Sequence, residues 1–290
     1  MSDLKRIIWL ASYPKSGNTW MRSLLAHYFM PVEHAPDINH LPNFTTGDVR
    51  KDFFKRANGG VPFQTDSEEE WMRMRSKALR LIAASKPHHH FVKTHCQTIR
   101  LFDQDVIPPD LTAAAIYVMR NPFDLAPSFA RHQSCDIDTA IDRMTNPTMM
   151  TKTDEGIFEV LGSWDDHVNV WTQAPGLPLQ VVRYEDLQTK PGPTMRALLG
   201  KFLKVPVDTK KLTYAIKSTS FDAMKKQEDT LGFKERPPGM ERFFAKGRAG
   251  VWREDLTPAQ VGRIREAFLP TLEKWYPEML AETEAFAAAG

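Results

Sequence analysis

Apolar and polar positions follow two different rhythms along the first 30 residues. An unbroken apolar run from Ile7 to Ala11 is typical of a strand that is buried on both faces of a parallel sheet. After a polar turn, large apolar residues recur at offsets of three and four and predict one helix that ends before Pro31. They are Trp20, Met21, Leu24, Leu25, Tyr28 and Phe29. The pattern predicts a strand, a tight turn and a helix in direct succession.

The same two patterns, apolar runs that predict strands and helical spacing of apolar residues, recur further along the chain. β-rich runs at 90–93, 114–119 and 179–184 predict three more strands, which helical or loop segments separate. A capping residue and an acidic first turn at 66–70 predict another helix, and Thr257, Pro258 and Gln260 predict a capping box. Strands interleaved with helices indicate an α/β fold, a single domain over residues 1–290 whose central parallel sheet is flanked by helices.

Three stretches, 31–65, 132–156 and 226–245, interrupt this pattern. The first is rich in Pro, Asn, Gly and Asp, and we expect it to be irregular because such lengths are usual for binding loops. If all three stretches shape an acceptor pocket, their Phe, Met and Pro content indicates a partly apolar small molecule. The same composition is typical of loops that are simply mobile.

Composition and charge narrow the class of protein. The 290 residues, 42% of them hydrophobic, suffice for a substantial core, and 38 basic against 36 acidic residues give no indication of nucleic acid as a partner. Cys96 and Cys135 form neither a disulfide framework nor a repeated metal-ligand spacing. The N-terminal residues lack the apolar segment of a signal peptide, and no apolar run approaches the ~20 residues that span a bilayer. We expect a cytoplasmic protein without stable membrane insertion.

The turn from Tyr13 to Thr19 has the chemistry of an anion site. It combines the N–H groups of a new helix with Lys15 and with the hydroxyls of Ser16 and Thr19, which suit a phosphate. The lysine precedes the glycine, so this is not the G-x-x-x-x-G-K-[ST] loop of nucleotide triphosphatases. Taken alone, the heptapeptide fits an ordinary surface turn equally well.

Together with the segments downstream, "SYPKSGNTW" resembles the 5′-phosphosulfate loop of the sulfotransferases that use 3′-phosphoadenosine 5′-phosphosulfate (PAPS). It departs from their usual form at Asn18, where threonine is common. The segment "IYVMRNPFDLAPSFARH" resembles the second signature of that family, and the resemblance implies that Arg120 and Ser128 bind the 3′-phosphate. The planar fork of an arginine at the end of a parallel strand suits a phosphate independently of the family. An arginine that pairs with a carboxylate at the sheet is the alternative.

The segment "FVKTHCQ" resembles the Lys-Thr-His segment of the same family. The resemblance implies that His95 takes the proton of the acceptor and that Lys93 steadies the transferring group. Histidine suits general-base work because its ordinary pKa of about 6.5 lies near neutral pH, although a lone histidine is more often structural. The neighbouring run His88 to His90 predicts no metal site, since consecutive strand residues point to opposite faces.

Weaker similarities extend the resemblance over nearly the whole chain. "VVRYEDL" and "STSFDAMK" match segments that imply Tyr184, Thr219 and Phe221 as nucleoside contacts, with core packing as the alternative for the two aromatic rings. "GSWDDHVNVW" also matches, and we interpret it as a packing segment. "FFAKGRAGVWRE" resembles the loop that closes over the 3′-phosphate, but Ala245 stands at the position of an arginine, which Arg248 would have to replace.

The resemblance implies the sulfotransferase fold, related to P-loop nucleotide kinases, and transfer of a sulfuryl group from PAPS to a hydroxyl or amine without a metal. The implied catalytic residues are Lys15, Lys93 and His95. The implied cofactor-binding residues are Lys15, Ser16, Gly17, Asn18, Thr19, Trp20, Arg120, Ser128, Tyr184, Thr219, Phe221, Lys246 and Gly247.

Two alternatives stay open at the level of the sequence. One is a kinase-like phosphotransferase on the same fold, which would use ATP and Mg²⁺. The other is a catalytically silent nucleotide-binding protein, which the alanine at 245 makes conceivable. The dimer motif of many family members has a valine and a glutamate where this chain has Pro258 and Gly262, so we do not predict that dimer and leave the oligomeric state open.

Overall fold

The computed structural model describes residues 4–34, 36–153, 156–237 and 239–289. The strands are β1 (Ile7–Ala11), β2 (Thr46–Gly47), β3 (His90–Thr94), β4 (Arg100–Leu101), β5 (Gln104–Asp105), β6 (Thr112–Met119), β7 (Met150–Lys152), β8 (Phe158–Val160) and β9 (Leu179–Arg183). The first helices are α1 (Asn18–Phe29), α2 (Leu41–Phe44), α3 (Lys51–Ala57), α4 (Glu68–Ala84), α5 (Pro122–Gln133), α6 (Ile137–Thr145) and α7 (Trp164–Thr172).

The remaining helices follow β9. They are α8 (Tyr184–Thr189), α9 (Pro191–Arg196), α10 (Thr209–Ser218), α11 (Phe221–Leu231), α12 (Trp252–Asp255), α13 (Pro258–Trp275) and α14 (Leu280–Ala288). Short 3₁₀ segments lie at Val32–His34 and Pro277–Met279, and a π-helical segment lies at Ala197–Phe202. Within the described ranges, no helix combines the length and the apolar character that a membrane span requires.

The main sheet has the strand order β2-β3-β1-β6-β9. The pairs β2–β3, β1–β3 and β1–β6 are parallel, and Leu10 of β1 lies opposite Lys93 and Ile116. β1 is largely buried, and a central strand of a parallel sheet whose two faces are covered needs apolar side chains on both faces, which explains its unbroken apolar run. The α/β fold with a central parallel sheet is therefore confirmed.

The chain divides into two compact units. Unit 1 contains residues 1–13, 45–117 and 146–181, and unit 2 contains residues 14–44, 118–145 and 182–290. The predicted catalytic residues Lys93 and His95 belong to unit 1. Lys15 and all predicted cofactor-binding residues belong to unit 2. The assignment of residues 1–290 to a single domain stays a prediction.

The local predictions with strong sequence patterns agree with the structure. β1, β3, β6 and β9 coincide with the four predicted strands, except that Tyr184 begins α8 instead of ending β9. α13 begins with the predicted capping box, in which the Thr257 side chain accepts from the Gln260 backbone and the Gln260 side chain from the Thr257 backbone. Strong local signals of this kind fix helix ends because they satisfy backbone groups within one turn.

The prediction of an irregular stretch over 31–65 is wrong in part. This stretch contains α2, α3 and β2, and β2 adds a parallel edge to the sheet by pairing Thr46 with Val92. α3 is held by two adjacent buried aromatic side chains, Phe53 and Phe54, a pattern too short to show helical periodicity. The other two stretches likewise contain α6 and the end of α11. Residues 35, 154, 155 and 238 of these stretches lie outside the described residues.

Candidate functional site

The loop between β1 and α1 has left-handed backbone at two positions. Lys15 has a φ of 68°, and Gly17, the N-cap of α1, has a φ of 103°. A Cβ atom at Gly17 would lie 2.7 Å from Cδ2 of Tyr184, so both the backbone and the neighbouring ring require glycine. Left-handed residues directly before a helix shape a concave surface of N–H groups that binds anions.

Several polar atoms of this loop and its surroundings are buried. Ser16 is 1% exposed, and within the described part of the chain its Oγ has no hydrogen-bond partner. The same holds there for Nε1 of Trp20 and Nε of Arg120. Because buried polar groups are nearly always paired, these atoms fit a bound polar ligand with several acceptor oxygens.

Lys15 contacts an aromatic ring. Its Nζ lies 3.4 Å from the ring centroid of Phe243, which is a cation–π contact. The ring stabilises the ammonium group without neutralising its charge. Phe243 is the first residue of the segment that resembles the 3′-phosphate loop, and the sequence assigned it no role.

A buried glutamate holds Phe243 in this place. Glu228 of α11 is 4% exposed and accepts hydrogen bonds from the backbone N–H groups of Phe243 (2.8 Å) and Phe244 (2.9 Å). Phe244 belongs to an apolar cluster against which Trp20 and the predicted nucleoside contact Phe221 pack. The structure thus brings the predicted aromatic residues into one cluster of unit 2.

Arg120 and Tyr184 meet beside the same loop. The Arg120 guanidinium carbon lies 4.5 Å from the Tyr184 ring centroid, and Nη1 donates to the Lys15 carbonyl at 3.4 Å. The Trp20 ring stands edge-on to the Tyr184 ring, with centroids 5.4 Å apart. Burial raises the pKa of Tyr184, so its hydroxyl stays protonated at neutral pH. The structure therefore places three predicted segments together, while their binding roles remain predictions.

Two side chains fix the loop that contains Lys246 and Gly247. Asp124, which is 1% exposed, accepts from the backbone N–H groups of Gly250 (2.7 Å) and Trp252 (3.0 Å). Gln188 donates to the Gly247 carbonyl and accepts from the Ala249 N–H group, both at 2.7 Å. The sequence analysis assigned neither residue a role. The only sequence feature that could have pointed to them is that they lie near the Arg-Asn-Pro and Tyr-Glu-Asp motifs.

A second network ties those two motifs to each other. Asn121 donates from Nδ2 to Oε1 of Glu185 at 2.6 Å and to Oδ2 of Asp124 at 2.9 Å. Burial raises the pKa of Glu185, and the hydrogen bonds from Asn121 oppose that shift. This network joins the segment that follows β6 to the segment that follows β9, and so positions Arg120 and Tyr184.

The remaining predicted residues of unit 2 have mixed surroundings. Gly247 has a φ of 61°, and a Cβ there would lie 1.9 Å from the Phe221 ring. Thr219 is buried, but its hydroxyl donates to the Ala215 carbonyl at 2.8 Å and is engaged within its own helix. Ser128 is 9% exposed on α5. Lys246 Nζ donates to Asp255 Oδ1 at 2.6 Å.

In unit 1, His95 follows β3 and is oriented by the chain that follows β1. Its Nδ1 lies 2.8 Å from the backbone oxygen of Ser12. A carbonyl oxygen can only accept, so we assign the ring proton to Nδ1, which leaves the lone pair of a neutral ring on Nε2. This is the tautomer that a general base requires at Nε2.

A second histidine contacts the backbone of His95. His167 of α7 is fully buried; its Nε2 lies 3.0 Å from the His95 carbonyl and its Nδ1 lies 2.8 Å from the Tyr117 hydroxyl. Burial lowers the pKa of His167 to about 4, so the ring is neutral and donates from Nε2. The segment that we interpreted as packing therefore also positions the backbone of the predicted base.

Lys93 and His95 flank Thr94, whose hydroxyl forms a hydrogen bond with a buried ion pair. The Thr94 hydroxyl donates to Oδ2 of Asp48 at 2.7 Å, and Arg75 donates to the same oxygen at 2.7 Å. The side chains of Arg75 and Asp48 are 0% and 2% exposed. Lys93 is half-buried and close enough to Glu159 to oppose the rise that burial produces in the Glu159 pKa.

Replacement of Asp48 by asparagine is expected to lower the free energy of unfolding by about 3–5 kcal/mol, because it leaves the buried Arg75 charge uncompensated. Urea unfolding of the purified variant measures this loss. Asp110→Asn is the matched control, since Asp110 pairs with Arg80 at the surface, where such pairs contribute about 0–1 kcal/mol. Equal losses in the two variants would contradict a structural role for the buried pair.

The described ranges contain no group of three or more His, Cys, Asp or Glu side chains placed to hold a metal ion. Cys96 is a buried free thiol, and Cys135 is a half-buried one. Burial raises the pKa of Cys96 to about 12, so this thiol is protonated and unreactive at neutral pH.

A strand that leads into a left-handed polar loop at a helix N-terminus is typical of phosphate-binding α/β proteins. A family model described as the sulfotransferase domain matches residues 5–276. The chain belongs to the sulfotransferase family and is a sulfuryl-transferring enzyme, which confirms the family that the sequence motifs indicated.

Characterised relatives match over most of their length. Sulfotransferase 1C2 of Oryctolagus cuniculus is 25% identical over 279 residues, which cover 91% of this chain and 82% of that protein. Sulfotransferase 1A1 of Bos taurus is 26% identical over 257 residues, which cover 87% of this chain and 78% of that protein. The similarity therefore extends well beyond the motifs.

Two solved structures have the same fold. Mouse sulfotransferase SULT7A1, complexed with 3′-phosphoadenosine 5′-phosphate (PAP), has 19% sequence identity and a TM-score of 0.62, with 99% of this chain and 90% of that chain covered. Retinol dehydratase in a complex with retinol and PAP has 20% identity and a TM-score of 0.64, with 94% and 82% covered. They confirm the sulfotransferase fold.

Proposed function

We propose that this enzyme transfers the sulfuryl group of PAPS to a hydroxyl or amine of a partly apolar small-molecule acceptor. The observation that carries the proposal is the β1–α1 loop, where buried polar atoms of Ser16, Trp20 and Arg120 surround a helix N-terminus that suits a phosphate. The PAP complexes of the two structural neighbours support the same nucleotide here, and the retinol complex supports an apolar acceptor.

The residues divide into those that bind the nucleotide and those that move a proton. PAPS supplies the activated sulfuryl group when it is bound. Lys15 and the N–H groups at the start of α1 neutralise the negative charge that grows on the 5′-phosphate oxygen. Arg120, Ser128, Lys246 and Gly247 bind the 3′-phosphate. Tyr184, Thr219 and Phe221 surround the nucleoside, with Ser16, Gly17, Asn18, Thr19 and Trp20 in the 5′ loop.

His95 acts as the general base. Its Nε2, which we assign as the unprotonated nitrogen, takes the proton of the acceptor as the acceptor oxygen or nitrogen attacks sulfur. The hydrogen bond from Nδ1 to Ser12 stabilises the imidazolium that forms, because a protonated ring still donates there. Lys93 steadies the sulfuryl oxygens.

We take the chain to act as a single domain in the cytoplasm.

Titration calorimetry tests the nucleotide part of the proposal. We expect PAP to bind at least tenfold more tightly than 5′-AMP, because a 3′-phosphate adds charged hydrogen bonds of about 1.5–3 kcal/mol each. Mg-ATP serves as the comparison for a kinase-like enzyme. Equal affinity for AMP or ATP would contradict a 3′-phosphate site and favour the phosphotransferase or the silent nucleotide-binding protein. PAP binding without transfer to any acceptor would favour the silent protein alone.

A further inference from the structure

A cationic cluster in unit 2 contains one residue, Arg131, to which the motifs assign no role. Lys246 Nζ donates to Oδ1 of Asp255 at 2.6 Å, and on the other side of this carboxylate Arg131 Nη1 lies 3.8 Å from Oδ2. Arg131 belongs to α5, three residues after Ser128. Helix residues at this spacing are neighbours, so Arg131 and Ser128 lie on the same face of α5.

The guanidinium of Arg131 has most of its donors available. Its distance to Asp255 is too long for a hydrogen bond, and the structure records no other acceptor for it within the described ranges. Its side chain is 37% exposed, so a ligand can reach it. Burial lowers the pKa of Arg131; Asp255 opposes this shift, and the charge of Arg120 adds to it. Two guanidinium groups therefore lie close enough to repel each other.

Such a grouping favours a dianion. Arg131 and Lys246 share the Asp255 carboxylate, and the charge of Arg120 acts on Arg131, so a phosphate with two negative charges relieves the repulsion among these three cations. Arg248 is placed differently, since it pairs with Glu254 and its side chain is 61% exposed. Arg248 therefore does not replace the arginine that is missing at position 245.

We propose that Arg131 is a direct ligand of the nucleotide 3′-phosphate, together with Arg120, Ser128 and Lys246, and supplies the guanidinium that Ala245 lacks. The inference rests on the proposed function, because it presumes a nucleotide with a 3′-phosphate. Asp255 holds Lys246 and Arg131 on its two oxygens and thereby keeps both cations beside α5.

The test compares the affinities of PAP and 5′-AMP by titration calorimetry for the wild type, Arg131→Gln and Arg131→Lys. We expect Arg131→Gln to weaken PAP binding on the order of 10–100-fold and AMP binding less than about twofold, since only PAP has the 3′-phosphate. Arg131→Lys should give an intermediate loss, because lysine keeps the charge but not the planar fork. Arg80→Gln, which removes an exposed arginine of unit 1, is the control for net charge.

The outcomes separate this inference from the proposed function. If the wild type prefers PAP over AMP and Arg131→Gln keeps the whole preference, Arg131 is not a ligand and only the inference fails. If the wild type shows no preference, the proposed nucleotide is wrong and the inference fails with it. Thermal unfolding without nucleotide shows whether Arg131→Gln folds; should it not, the loss of PAP preference in Arg131→Lys decides the question.

Discussion

Replacement of His95 by alanine is expected to reduce sulfuryl transfer by ~10²–10⁴-fold, to background, while the affinity for PAP stays within about twofold of wild type. The alanine variant has no group that accepts the acceptor proton. The proposed nucleotide-binding residues all belong to unit 2, whereas His95 and its partners Ser12 and His167 belong to unit 1. The predicted result is thus a loss of turnover without a loss of binding.

Steady-state turnover and PAP calorimetry on the same preparation measure the two quantities. His89→Ala is the control, because His89 is exposed, precedes β3 and shares no hydrogen bond with the His95 network in the described ranges. His95→Asn adds a sharper comparison, since an amide can still donate to Ser12 but cannot act as a base near neutral pH. Turnover near the wild-type value in His95→Ala would remove this residue from the mechanism.

The parts of the fold that could be predicted are those encoded within a few neighbouring residues. The apolar run of β1, the stripe of α1 and the capping box of α13 each satisfy their own backbone groups or bury one face, so the local pattern suffices. The elements that were missed, β2 and α3, are too short to show a period. They exist because Phe53 and Phe54 are buried and because β3 offers an edge to Thr46.

The candidate site likewise combines residues that local sequence motifs indicate with residues that only the folded structure brings to them. The motifs indicate Lys15, Arg120 and His95 as candidates, but supporting groups of the site lie far away along the chain. The sequence separation is 59 residues for Gln188 and Gly247 and 72 for His167 and His95. Gln188 fixes Gly247, and His167 contacts the His95 carbonyl, through hydrogen bonds that no periodicity encodes. Sequence reasoning supplies candidates for the reacting groups, since chemistry restricts their types. It does not supply the supporting residues, because many side chains can donate or accept one hydrogen bond.

The contact between Lys15 and Phe243 gives a second strong expectation. Lys15→Ala should lower turnover by ~10²–10³-fold, because a preorganised donor at the departing phosphate acts mainly in the transition state. Phe243→Ala removes the ring that lies 3.4 Å from Nζ but keeps the ammonium. A cation–π contact contributes about 0.5–2 kcal/mol, so we expect this variant to lose at most ~30-fold.

Turnover with saturating PAPS, measured for both variants, separates chemistry from packing. A lysine that neutralises charge in the transition state is needed whether or not the ring is present, so Lys15→Ala should be the more impaired variant by a wide margin. A lysine that serves only to hold Phe243 would make the two variants equally impaired, and that result would refute the catalytic role. The backbone should tolerate the change, because the left-handed φ of 68° at position 15 is supported by the following glycine turn and by the Arg120 hydrogen bond to the Lys15 carbonyl.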